Sequence, residues 1–265
     1  MGSRRGDPAG WVRDGKAVWL ARLPALGSDR WIFRRGIPAG VSYRHGEVAE
    51  LLHDAPLVFL FPTVQTIELD CMTELKGPYD YEQNCGTIPT AEAQALADLH
   101  ELQWVRELRL RRANLPRPQW DAILTSPHLK RLAVLDLGGS HIPVESLSTL
   151  LGSPSASCLK ILRLTGELFL AESDAGGYST QTYDRVQASV SDEMVAILAE
   201  SPRLAGLLEL DLSGNCLNRV AVDSLRASPH LPRDLRLRVG PRATQDPLNA
   251  ESLRLLRERF PQVEG

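Results

Sequence analysis

The chain has 265 residues, 43% of them hydrophobic and 24% charged, with a formal net charge of −3 and a pI near 6.1. That length suffices for one large domain with a buried core, and the slight acidity argues against a nucleic-acid binder, which carries a basic excess. Cys71, Cys85, Cys158 and Cys216 form no C-x-x-C pair, and no run reaches the ~18 apolar residues that span a bilayer. Reduced thiols in a cytoplasmic protein without a signal peptide are therefore expected.

Residues 1–38 hold Trp11, Trp19 and leucines at 20, 23 and 26 between Gly and Pro breakers. They read as an N-terminal cap, because a stack of repeats must cover its first open edge. Residues 39–248 read as the repeats. The first strand is expected near Ala39–Arg44 with Val41 inward, followed by a helix over 47–54 that Pro56 ends. Each further unit opens on a shared pattern of apolar positions. Val64, Ile67, Leu69 and Met72 begin it. Val105, Leu108, Leu110, Ala113 and Leu115 repeat it, then Leu132, Leu135, Leu137 and Ile142. Leu159, Leu162 and Leu164 follow, with Glu167 and Phe169, then Leu207, Leu210, Leu212, Asn215 and Leu217. The last is the shorter Leu235-Arg236-Leu237.

Leu108 to Leu135 and Leu135 to Leu162 both span 27 residues, as do Pro127 to Pro154 and Pro202 to Pro229. Between strands, Ile123-Leu124, Leu150-Leu151 and Ile197-Leu198 precede a Ser-Pro. With Leu147 and Met194 three or four residues earlier, they form helical stripes. Each unit is thus strand, loop, helix and Pro turn. One unit cannot bury both its leucine row and its stripe, whereas stacked units bury them together. A curved solenoid follows, with parallel strands on the inside and helices on the outside. Residues 249–265 read as a capping helix with Asn249 at its N-cap, Glu251 in its first turn, and Leu253, Leu256 and Phe260 on its apolar face.

These spacings resemble the leucine-rich repeat superfamily, with the period of its ribonuclease-inhibitor-like branch. Trp31-Ile-Phe-Arg-Arg-Gly-Ile-Pro and Leu255-Leu-Arg-Glu-Arg-Phe-Pro resemble a bacterial group with a companion segment before the repeats. The resemblance implies an α/β fold: a right-handed horseshoe solenoid with a parallel β-sheet on its concave face and helices on its convex face. The chain departs from the pattern at the ninth place. Asn survives there only as Asn215, with Met72, Ala113, Ser140 and Glu167 elsewhere, so less regular turns are expected.

Two spacings break the period. Ile67 to Leu108 spans 41 residues and Leu162 to Leu210 spans 48. The excess predicts rim insertions at 73–90 and 168–190, both between a strand and its helix. Glu74, Asp80 and Glu82 against Lys76 give the first a charge of −2, and Glu172, Asp174 and Asp184 against Arg185 give the second the same. Insertions on one rim often form a binding face.

Alternate residues of a strand face opposite sides. The positions between the leucines read Glu68, Arg109, Asp136, Arg163, Asp211 and Arg236, alternating in sign. This column is either an ion-pair ladder satisfied within the sheet or a charged surface for a partner. Two residues further on stand Asp70, Arg111, Gly138, Thr165, Ser213 and Arg238, where Arg111 lacks an acidic partner on its second side. The expected partner-binding cleft has Glu107, Arg109, Arg111, Val134, Asp136 and Gly138 on its floor, and Arg163 on the next strand joins the expected partner-binding residues. His141 stands at the rim, and Tyr79, Tyr81, Tyr178 and Tyr183 are on its walls. Tyr and Arg are typical anchors of protein interfaces.

The sequence holds no Gly-rich phosphate loop, H-E-x-x-H or G-x-S-x-G. His128 and His230 lie in repeated Ser-Pro-His-Leu turns and read as structural. The expectation is a non-catalytic module that binds a protein or peptide, with no cofactor, metal, nucleic acid or membrane. The alternative is an enzyme, or a subunit of an enzyme complex, using Tyr178, Tyr183, His141 or Cys85 on the rim loops.

Overall fold

The computed structural model describes residues 19, 23–24, 26, 29–72, 86–168, 186–187, 190–215, 217–240 and 250–265. They form one nine-stranded sheet alternating with helices. Strand β1 (Trp31–Arg34) pairs antiparallel with β2 (Ile37–Arg44). From β2 onward every neighbouring pair in the sheet is parallel: β3 (Thr66–Asp70), β4 (Glu107–Arg111), β5 (Val134–Asp136), β6 (Ile161–Arg163), β9 (Glu209–Asp211), β10 (Arg236–Arg238) and β11 (Gln262–Glu264). Between β6 and β9, β7 (Glu167–Leu168) and β8 (Val186–Gln187) make a separate antiparallel pair.

Parallel neighbours need a crossover, and each crossover here carries one helix. These are α1 (Val48–Val58), α2 (Thr90–Ala97), α3 (Arg117–Leu124), α4 (Val144–Gly152), α5 (Asp192–Glu200), α6 (Arg219–Ala227) and α7 (Ala250–Arg259). Helix α5 is capped by the Ser191 hydroxyl and α6 by the Asn218 side chain. The expected stripes are buried: Ile123, Leu124, Leu147, Leu150, Met194 and Leu198 all face the core. Pro154 and Pro202 lie beyond the helix ends and open short 3₁₀ turns.

Ile67, Leu108, Leu135, Leu162, Leu210 and Leu237 are register partners in one row, all nearly inaccessible. Leu69, Leu110, Leu137, Leu164, Leu212 and Val239 are buried alongside them. Burying one such side chain stabilises by ~1.5–3 kcal/mol, against ~0–1 kcal/mol for an exposed ion pair. The apolar rows therefore set the register, and the charges follow it. Tyr43 takes a core place, fully buried, and its hydroxyl donates to Asp54 Oδ2 at 2.9 Å. Burial, with that bond, pushes the hydroxyl far above its ordinary pKa.

Several expectations need correction. Helix α1 runs through Pro56 to Val58. In the last turn the missing N–H removes only one hydrogen bond, so proline is tolerated there. Met72 is 46% exposed rather than in the core, because the strand ends at Asp70. The segment assigned to the cap contributes strand β1 and the start of β2. The C-terminal helix is followed by β11, which pairs with β10.

Strand β10 sits two residues from the expected register. Arg238 is opposite Asp211, and Arg236 is opposite Glu209. Leu210 to Leu237 spans 27 residues, so the period itself places Leu237 opposite Leu210. Leu235 is also buried, but one step before the strand.

Ser140, at the ninth place where the resemblance leads one to expect asparagine, bonds the backbone of the preceding strand–helix unit. Ser140 Oγ donates to the Leu110 carbonyl at 2.9 Å and accepts the Ala113 N–H at 3.0 Å. Asn215 donates to the Leu164 carbonyl at 2.7 Å and accepts the Val190 N–H at 3.1 Å. Both link one repeat to the backbone before it. The Ser-Pro-His-Leu turns are likewise structural. Ser126 Oγ donates to the Ala97 carbonyl and Ser228 Oγ to the Ala199 carbonyl, each at 2.5 Å.

Candidate partner-binding face

One face of the sheet carries the leucine rows and the helices, so the alternate residues of β3 to β11 form the other, polar face. The register places Glu68, Arg109, Asp136, Arg163, Asp211, Arg238 and Glu264 in one row across seven neighbouring strands. The signs alternate throughout. Arg238 replaces the expected Arg236, and Glu264 extends the row.

Adjacency in the row does not dictate pairing. Arg109 lies between Glu68 and Asp136, but it pairs with Glu68 Oε2 at 2.8 Å and with Glu107 Oε1, on its own strand, at 2.7 Å. Arg163 pairs with Glu209 at 3.0 Å. The expected pairing of Asp136 with Arg109 and Arg163 is therefore not formed. The reason is reach: same-side residues on one strand are ~6.6 Å apart, within range of a long arginine. Glu107 is at that distance on Arg109's own strand, whereas Glu209 lies diagonally across from Arg163, on β9 as the register partner of Ile161.

Two ion-paired clusters result. In the first, Glu107 accepts from Arg34, Arg109 and the Thr66 hydroxyl. Burial pushes the Glu107 carboxyl up, but Arg109 and then Arg34 outweigh it and hold the group below the usual carboxylate range. Burial works against the charge of Arg109 too, and Glu107 and Glu68 more than compensate. The second cluster joins Arg163, Glu209, Asp211, Arg236, Arg238 and Glu264, with separations of 2.9 to 3.9 Å.

Between the clusters lie Arg111, Val134, Asp136, Gly138 and Ile161. Asp70 is the register partner of Arg111, yet its carboxylate is held by Arg112, whose Nε donates to Oδ1 at 2.8 Å. Arg112 has a left-handed φ of 54°, which turns it back onto this face. Burial pushes Asp70 up, but the bonds from Arg112 and the Met72 N–H hold it below its ordinary range. Arg111 is left with Asp136 Oδ1 at 3.9 Å, the acidic neighbour that the sequence reading did not supply. That oxygen already accepts the Gly138 N–H at 3.1 Å. Arg111 Nε is buried and has no hydrogen-bond partner. A side chain at Gly138 would meet Thr165 Oγ1 at 2.5 Å and Asp136 Oδ1 at 3.2 Å, so the close packing here favours glycine.

Six of the expected site residues, Glu107, Arg109, Arg111, Val134, Asp136 and Arg163, thus share three adjacent strands. His141 follows β5, where it bridges Asn114 and its carbonyl accepts the Trp120 Nε1–H at 2.9 Å. Tyr79, Tyr81, Tyr178 and Tyr183, with Cys85, lie outside the described residues. Both insertions leave from C-terminal ends of parallel strands: the first follows β3, and β7 opens the second after β6.

The sequence reading missed Arg34, Arg112, Glu209 and Ile161. Period-two alternation from Asp211 would have found Glu209, and from Arg163 would have found Ile161. Arg34 arrives through the β1–β2 hairpin and Arg112 through its unusual φ, which no spacing signals. Among the described residues, no three His, Cys, Asp or Glu side chains are grouped to hold a metal, and no helix is long and apolar enough to cross a membrane. No family model matches the chain, and no curated protein matches it.

Proposed function

We propose that this chain is a leucine-rich repeat solenoid, curved as a horseshoe, that works as a non-catalytic protein-interaction module in the cytoplasm. The polar face of the sheet is its concave surface and the partner's seat. The 27-residue spacing of Leu108, Leu135 and Leu162, and the repeated roles of Ser140 and Asn215, support the repeat assignment. A free, exposed thiol at Cys158 suits a reducing compartment.

One observation carries the binding role. The polar face is closely ion-paired on both sides, whereas between them Val134 and Ile161 carry no charge and Arg111 meets only Asp136, at 3.9 Å, with its Nε lacking a hydrogen-bond partner. Co-purification from the native cell tests this. Arg111→Glu should remove the partner while leaving Tm nearly unchanged, and Val220→Glu on the exposed face of α6 should retain it. Equal recovery with both variants would refute the assignment of this face.

A further inference from the structure

We infer that Arg111 receives a side-chain carboxylate from an extended segment of the protein partner, and that Val134 and Ile161 receive an aliphatic side chain of the same segment. This rests on the reading of the polar face as a protein-binding surface and adds the chemistry of what binds there.

Arg111 Nε is a buried donor without a hydrogen-bond acceptor, and the ion pair of Arg111 with Asp136 is long, at 3.9 Å. A buried donor left unpaired is unfavourable, and a charged one more so. Its acidic neighbours are shared with other donors. Asp70 is occupied by Arg112, and Asp136 stands 3.9 Å away while accepting the Gly138 N–H. An ionised carboxylate is the strongest acceptor for a guanidinium fork and gives charge-assisted bonds about twice as strong as neutral ones.

The second contact follows from the row that contains Glu107 and Glu209. Between these two acids the row reads Val134 and Ile161, both half-buried. They form an apolar step between two ion-paired clusters. From Val134 to the row of Arg111 is four residues along the strand, or ~13 Å. An extended partner segment covers that distance in four residues. Its side chains at i and i+4 lie on one side, so one aliphatic and one acidic residue at that spacing fit the two contacts together.

The test uses ¹⁵N-labelled, methyl-labelled protein and two blocked peptides, acetyl-Leu-Ser-Thr-Ser-Glu-amide and its Gln counterpart. With the acidic peptide, the Arg111 Nε–H resonance and the Val134 and Ile161 methyls should shift together. The Gln peptide should bind about tenfold more weakly, as should the acidic peptide to Arg111→Gln. Equal binding of both peptides at the methyls, with Arg111 silent, overturns the carboxylate inference while the polar face stands as the binding surface. Shifts confined to other arginines, or absent with both peptides, also overturn it. The co-purification result for Arg111→Glu decides separately whether the face binds a protein at all.

Discussion

Arg112 Nε donates to Asp70 Oδ1 at 2.8 Å and so occupies the carboxylate that lies opposite Arg111 in the strand register. The pair is shielded, with side-chain exposures of 19% and 24%. Replacing Asp70 removes the charged acceptor of this bond. Asp70→Asn should lower stability by about 1 kcal/mol, within the range for hydrogen bonds to charged groups. Urea denaturation of the parent and the variant reads this directly.

Asp70 and Glu107 give the pH dependence its sign. Both carboxyls are held below their ordinary range in the folded chain. Their stabilisation is fully present above the unfolded pKa, ~4. It is lost as pH falls from there through the folded values, because the unfolded chain then takes up more protons. A double variant, Asp70→Asn with Glu107→Gln, should be less stable than the parent at pH 6, and the difference should shrink between pH 4 and pH 2. Denaturation midpoints across that range are the check. A constant difference would mean that neither carboxylate is charge-paired.

The register of β10 predicts a specific coupling. Asp211 and Arg238 are 3.7 Å apart and are register partners, whereas Arg236 is opposite Glu209. A double-mutant cycle on Asp211 and Arg238 should show a coupling of ~0.5 kcal/mol, reduced by solvent because Arg238 is half-exposed. The Asp211 and Arg236 cycle should show none. Leu237→Ala should cost ~2–5 kcal/mol, like any large-to-small change in the core.

Ser140 is fully buried and bonds two backbone groups of the preceding strand–helix unit. Ser140→Ala should cost ~1–3 kcal/mol, the penalty of an unsatisfied buried group. Ser140→Asn offers both bonding functions again but must fit a site with no exposed surface. Thermal unfolding of the two variants separates the hydrogen bonds from the volume.

Much of this was legible in the residues. Leucines at fixed spacing named the buried rows, and alternation then named the polar face. The parallel neighbours and the charge order from Glu68 to Asp211 followed. What stayed illegible depends on side-chain reach. Arg109 has acids along its own strand and on both neighbouring strands, and it takes Glu107 and Glu68 rather than Asp136, a choice that no spacing signals. Arg112 depends on one backbone angle. The shift at β10 was readable, since Leu237 is one period beyond Leu210, but the adjacent Leu235 is equally apolar and competes for the same assignment.

The most direct test of the partner-binding face is photo-crosslinking in the native cell. A photoreactive amino acid replaces Val134 on the polar face in one version of the chain and Val220 on α6 in another. Val220 is 61% exposed, so it is the easier target for random collision. A discrete adduct from position 134, absent from position 220 and lost when Arg111→Glu is added, is the predicted result. Adducts from position 220 alone would put the interaction on the helices and contradict the assignment.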